Sequence, residues 1–161
     1  GPSGAYRQQF LNNTEHNVAL GHIFTSLGEL SKGELAGERM FVAIDTKDQE
    51  NEHSCFSDNT INDIKMNFLG LKNVYFGTYT QLDGSQITGR NIHEIVEKLS
   101  PEKADAVQNA FLDAESKIDA IPGPFDQTIV NNPAAVVPAI DALRLLSDRL
   151  ADAGLAIGAK F

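Results

Sequence analysis

Asp58-Asn59-Thr60-Ile61-Asn62-Asp63-Ile64-Lys65-Met66-Asn67-Phe68-Leu69-Gly70-Leu71-Lys72-Asn73-Val74-Tyr75 carries the periodicity that decides the fold class. Ile61, Ile64, Phe68, Leu71 and Tyr75 recur at steps of three or four, which places them on one side of an α-helix. Asp58 is the expected N-cap. Asn59, Asp63 and Asn67 fall at i, i+4 and i+8 and make a polar stripe. The stripe reads either as an ordinary wet face or as one wall of a cleft.

Immediately upstream, residues 45–60 crowd Asp45, Asp48, Glu50, Glu52 and Asp58 around His53 and Cys55, with Lys47 as the only base. So many carboxylates in one segment repel each other unless they face water, cations or donors. A solvated acidic loop satisfies that requirement. The small and apolar run Ser54-Cys55-Phe56-Ser57 argues instead for a segment that turns back on the body and carries polar groups into a cleft.

The same helical period extends in both directions. Residues 5–30 read as a first long helix, with Phe10, Leu20, Phe24, Leu27 and Leu30 at helical multiples. Gly21 and Gly28 in it mark close packing or a weak point. Ser31-Lys32-Gly33-Glu34 has the form of a capping box and predicts a second helix over about 33–44, with Leu35, Met40 and Ala43 inward. Arg39 sits among these apolar neighbours and calls for a carboxylate, Glu50 or Glu52 of the acidic loop being the expected partner. Beyond Tyr75, residues 77–90 read as a loop and 91–99 as a short helix. Ser100-Pro101 starts a helix that Pro122-Gly123-Pro124 breaks. Asn132-Pro133 starts the last one, with Val136, Ile140, Leu143, Leu146, Leu150 and Ala153 in a seam and Pro138 as a candidate bend. No strand pair, repeat or low-complexity segment stands out. The expectation is an all-α helical bundle, with residues 1–161 as a single helical domain.

Composition narrows the function classes. Of 161 residues 42% are hydrophobic, enough for a core, and there is no Trp. A formal net charge of −9 argues against nucleic acid and against anionic membrane surfaces, both of which need clustered Lys and Arg. The single Cys cannot form an intramolecular disulfide. No apolar run reaches the length of a membrane span, and no signal peptide opens the sequence. Gly1-Pro2 resembles the scar of a tag-cleaving protease, so an export signal could have preceded it.

The catalytic motifs with strong signatures are missing: no phosphate-binding glycine loop and no Gly-x-Ser-x-Gly elbow. The acidic loop lacks the glycine an EF-hand needs. His93 and Glu97, at i and i+4, could share a metal, but one such pair is a weak signal. His16 and His22 read as structural or exposed, and Cys55 as a small buried hydrophobe. Glu50, Glu52 and His53 are the better set. They suit a divalent metal, and equally a hydrogen-bond network on Arg39.

Several blocks resemble the imelysin family. They are Glu34-Leu35-Ala36-Gly37-Glu38-Arg39-Met40, then 48–60 (Asp-Gln-Glu-Asn-Glu-His-Ser-Cys-Phe-Ser-Asp-Asn-Thr), Asp63, Asn67, Gly70, and Asn73-Val74-Tyr75-Phe76-Gly77. Ile121-Pro122-Gly123-Pro124-Phe125-Asp126 and the last helix resemble it too. The resemblance implies an all-helical protein of two related bundles, of which this chain is similar to the C-terminal half. The family's Gly-x-His-x-x-Glu signature does not occur here; Gly21-His22 has the wrong spacing. The implied site lies between the halves. This half would supply Arg39, Glu50, Glu52, His53, Ser54, Asp58, Asn59 and Asp63, and the N-terminal half a metal-type His and Glu. Glu50, Glu52 and His53 would be its metal ligands for zinc or iron, with no tight binding by this half alone. Where many relatives have His after Asn-Thr, Ile61 stands here, so no role of that imidazole carries over. The family implies an exported protein, periplasmic or an outer-membrane or cell-surface lipoprotein, linked to iron uptake and labelled a peptidase. A non-catalytic ligand- or metal-binding protein of the same fold is the alternative, and a purely structural half a third.

Overall fold

The computed structural model describes residues 3–161; Gly1-Pro2, where a tag scar was expected, lies outside the described residues. The architecture is a helical bundle whose centre is the last helix. In chain order the elements are α1 (Ala5–Gln8), which continues as a wider turn over Gln9–Asn13, then α2 (His16–Gly28), a wide-wound segment (Glu29–Phe41) and α3 (Val42–Thr46). After the acidic loop come α4 (Thr60–Phe76), β1 (Thr78–Thr80), β2 (Gln86–Thr88), α5 (Ile92–Leu99), α6 (Pro101–Asp119), α7 (Phe125–Asn131) and α8 (Val137–Ala156). α8 packs on the wide-wound segment, on α6 and on α2. Its Ile140, Leu143, Leu146, Leu150 and Ala153 are all buried, as the seam predicts. From α4, Ile64, Phe68, Leu71 and Tyr75 join the same core, with Ile61 packed at its edge.

Several expectations need correction. First, the helix expected over 5–30 is interrupted at Thr14 and Glu15, and its continuation does not stop at Ser31. From His16 to Thr46 the backbone stays helical, and its middle, Glu29–Phe41, is wound with the i→i+5 bonding of a π-helix. Ser31 faces the core, where its hydroxyl donates to the Leu143 carbonyl at 2.7 Å. A hydroxyl with a tertiary acceptor is satisfied without capping anything. Second, residues 77–90 contain a small antiparallel hairpin, with Tyr79 opposite Ile87. Its six residues are all exposed, so no burial pattern announces it. Third, Asp58 does not cap α4. It takes a left-handed φ of 49°, and Asn59 occupies the cap position without a side-chain capping bond to the backbone. Pro138 lies in the first turn of α8, where its missing N–H costs nothing and bends nothing.

Two glycines are required by close approach. A Cβ on Gly21 would lie 1.8 Å from the Lys160 carbonyl oxygen, and one on Gly154 would lie 2.8 Å from the Phe161 ring. The C-terminal tail crosses α2 there, with the Lys160 N–H donating to the Asn17 carbonyl at 2.9 Å. Gly21 thus marks close packing, as one sequence reading of it proposed.

Candidate functional site

The acidic loop starts where α3 ends on Lys47, in a left-handed conformation at φ 52°. The Asp48 carboxylate accepts from the Glu50 N–H at 3.0 Å and starts a single 3₁₀ turn, Gln49–Asn51. This turn sends Glu50 into solvent and Glu52 inward. Glu52 is only 6% exposed. Its neighbour across the loop is Thr60, the first residue of α4, whose buried hydroxyl oxygen accepts the Ser54 N–H at 3.0 Å. The Ser54 hydroxyl donates to one oxygen of Asp63, and the Asn59 amide donates to the other at 3.0 Å. The Asn62 amide in turn donates to Asn59 at 2.9 Å. The polar stripe of α4 is therefore joined to the loop through Ser54, and Asn67 continues it half-buried.

A second segment closes the site from the far end of the sequence. Ile121-Pro122-Gly123-Pro124 brings a cis Gly123–Pro124 peptide against the start of α4, with Gly123 packed on Ile61. The Thr128 hydroxyl lies 2.9 Å from the Pro122 carbonyl and 3.1 Å from that of Pro124, bracing the turn. α7 then lies beside α3, and the Asp126 charge acts on Glu52 from there.

The electrostatics of this corner are unbalanced. Burial holds the Glu52 carboxyl above the usual Glu range, the Thr60 hydroxyl works the other way, and the Asp126 and Asp58 charges push it further up. The Thr60 hydroxyl, which accepts from Ser54, has its proton free for Glu52, a contact longer or more bent than a regular hydrogen bond; apart from it, the buried Glu52 oxygens, Asp126 Oδ1 and His53 Nδ1 have no hydrogen-bond partner. Arg39 does not relieve this. It pairs with Glu34 at 3.4 Å instead of with Glu50 or Glu52, and stays on the surface. The winding explains it. In an i→i+5 helix, residues five apart stack on one face, and Glu34 and Arg39 are five apart.

Of the sequence-predicted residues, then, Glu52, His53, Ser54, Asp58, Asn59 and Asp63 gather around one corner, while Glu50 points to solvent and Arg39 lies on the neighbouring helix. Thr60 and Asp126 were missed. The Pro-Gly-Pro-Phe-Asp run was the available signal for Asp126. Structural divalent sites use three or four protein ligands. Among the described residues no three His, Cys, Asp or Glu side chains converge to hold a metal, so Glu50, Glu52 and His53 do not by themselves fit one. His93 packs its ring on Tyr75 and Phe76, at 5.7 and 5.3 Å between centroids, and Glu97 is exposed. No single helix among the described residues is long and apolar enough to cross a membrane.

A profile of the imelysin family matches residues 1–150. The chain belongs to the imelysin family. Its fold is similar to the crystal structure of an imelysin peptidase from Bacteroides ovatus, with a TM-score of 0.67 and 19% sequence identity. The match covers 92% of this chain and 44% of that one, so the chain spans less than half the length of this imelysin relative. No curated protein matches it.

Proposed function

We propose that this chain is the C-terminal half of a two-bundle imelysin-like protein of the bacterial envelope, acting in iron acquisition. Its acidic loop and the start of α4 form one wall of a cleft shared with the N-terminal half. The supporting observation is the set of buried polar atoms on Glu52, His53 and Asp126 that no regular hydrogen bond or ion pair among the described residues satisfies. A buried polar atom without a partner costs roughly 1–3 kcal/mol. Such groups persist where another surface or ligand completes them. The relative's chain is more than twice as long as the stretch matched here, which leaves room for such a surface.

On this reading a zinc or iron ion is held chiefly by the His and Glu of the other half, with His53 the nearest imidazole on this side. The protein resides in the periplasm or on a lipid-anchored surface position. A non-catalytic binding role is the second reading, and the hydrogen bonds at Ser54 favour it. The Ser54 hydroxyl is bonded to Asp63, which Asn59 already holds, so no imidazole base stands ready to activate it. Elemental analysis of the purified full-length protein is the test. Stoichiometric zinc or iron there, absent from residues 1–161 alone, supports the shared site. Equal metal content in both would show that this half is complete by itself.

A further inference from the structure

At the other end of α4 from the acidic loop, the fold leaves apolar surface open. Ile92, Ile95, Val96 and Leu99 make one apolar stripe along α5, at spacings of three and four. The core takes only one edge of it: Ile92 and Val96 are buried, while Ile95 is 41% and Leu99 60% exposed. With Leu20 and Ile23 of α2 and Val74 of α4, these two line an open groove of about 920 Å³. Past Ile23 and Val74, which line both, lies an inner cavity of about 360 Å³. Phe10, Leu27, Leu30 and Leu71 wall it, and no Lys, Arg, Asp or Glu does. Ser26 beside it already donates its hydroxyl to the His22 carbonyl at 2.8 Å. The outer groove is different, because unpaired cations collect there. Among the described residues nine of the thirteen Lys and Arg side chains are in ion pairs, and the other four are Arg7, Lys47, Arg90 and Lys98. Arg90, just before α5, and Lys98, in its last turn, both line the groove. Glu94 is the one acid among the lining residues, and the Asn91 amide donates to it at 3.0 Å.

We propose that groove and cavity together bind a single-chain anionic amphiphile, a free long-chain carboxylate. Its head group pairs with Arg90 and Lys98, and its hydrocarbon tail runs past Ile23 and Val74 into the inner cavity. Charge complementarity selects this occupant. In a chain of net charge −9, two bases without an acid partner beside an apolar floor attract an anion that also has apolar surface to bury. The order of the two compartments selects a tail: the cations stand in the outer groove, and the inner cavity is mostly apolar wall. A second copy of this chain would bring the same cations and a further charge of −9, which repels. An anionic membrane surface needs clustered Lys and Arg, whereas here two bases line a concavity. The site is separate from the acidic loop and does not rest on the shared-cleft reading.

Titration calorimetry of residues 1–161 with decanoate and tetradecanoate, each below its micellar concentration, tests this. Saturable binding of one molecule per chain is expected, tightening roughly two- to fourfold for each added methylene. The double variant Arg90→Gln/Lys98→Gln should weaken it by about tenfold or more, because a charge-assisted contact is lost. Both side chains are exposed, so the variant keeps the fold. Gly70 supplies the second variant. It lines the inner cavity from α4, and a Cβ there would meet nothing within 4 Å. Gly70→Leu narrows the cavity without straining the helix, and should weaken tetradecanoate by more than decanoate. Decanol or decyltrimethylammonium binding as tightly as decanoate would overturn the proposal. So would affinity indifferent to Arg90→Gln/Lys98→Gln, or a Gly70→Leu variant that affects both carboxylates equally or neither. Binding only to vesicles of anionic phospholipid, or dimerisation of the chain with no amphiphile bound, would replace the carboxylate by a membrane or a second copy. The full-length protein must give the same titration: binding confined to residues 1–161 would mean that another part of the protein covers the groove, and the proposal fails.

Discussion

The bundle around α8 and the acidic loop at its edge obey opposite rules. Around α8 nearly every side chain that faces inward is apolar, and the one buried hydroxyl of the wide-wound segment, Ser31, has its acceptor in the Leu143 carbonyl; the Tyr75 hydroxyl of α4 is the exception, buried without a partner. In the loop, the residue that turns inward is a glutamate in no ion pair, and the residue that turns outward is a phenylalanine. The first region is organised for stability of the chain as it stands. The second, on the function proposed above, is organised for something outside it. A stability experiment separates the two, since the same size of perturbation should act with opposite sign in the two regions.

The largest effect is expected in the bundle. Leu146 is fully buried at the heart of α8. Leu146→Ala removes its methyl groups and leaves a cavity, at a cost of about 2–5 kcal/mol. Chemical denaturation with an unchanged m-value should show it as a lower midpoint. A loss below about 1 kcal/mol would mean that α8 is not the centre of the core. Next comes Gly21→Ala. The new methyl group would meet the Lys160 carbonyl at 1.8 Å, and backbone there cannot turn aside. The tail must lift off, exposing Phe24 and losing the Lys160–Asn17 bond, for about 1–3 kcal/mol. Deletion of the last two residues should suppress most of that difference; an additive loss would place the conflict elsewhere.

How much of this was legible in sequence follows the range of each interaction. The α4 face and the α8 seam were readable because a repeat of three and four is written locally. Ser31 was misread because the capping-box pattern is also local, whereas its real acceptor lies 112 residues away. Arg39 was misassigned because pairing distance depends on helix winding, and apolar periodicity does not reveal a switch to i→i+5 bonding. Hairpin strands of three residues are too short to show alternation. Within the site, Glu52, Ser54 and Asp63 were legible as one constellation, since loop and helix are contiguous. Asp126 was not, because only the packing of α7 beside α3 brings it there.

The third prediction reverses sign. The folded-state pKa of Glu52 is raised above its ordinary value of 4.5, chiefly by burial. Folding therefore favours the protonated carboxyl, so the contribution of Glu52 to stability is greatest at low pH and falls as pH rises through the folded-state pKa. Relative to wild type, Glu52→Gln should stabilise residues 1–161 by about 1 kcal/mol at neutral pH. That advantage should shrink on acidification and disappear once pH is below the unfolded-state value, where wild-type Glu52 is protonated in both states. Melting curves at neutral and acid pH check it. A Gln variant that gains nothing at neutral pH, or gains more in acid, would mean that Glu52 is not the unpaired charge of the loop.

The smallest effect is expected at Arg39, and its size matters because a large one would join the two regions. Arg39 and Glu34 form a pair at 3.4 Å with both side chains more than a third exposed. Such pairs contribute about 0.2–1 kcal/mol, less in salt. Arg39→Met should therefore change stability by no more than that, and Glu34→Gln should remove most of the remainder, leaving a coupling of a few tenths of a kcal/mol in a double-mutant cycle. Were Arg39 bonded to Glu52 instead, its removal would strand a buried carboxylate and cost about 3–5 kcal/mol. The cycle of Arg39→Met with Glu52→Gln discriminates sharply: additivity keeps the loop independent of the bundle, and strong coupling would return Arg39 to the site and make Glu52 a partnered group within this chain.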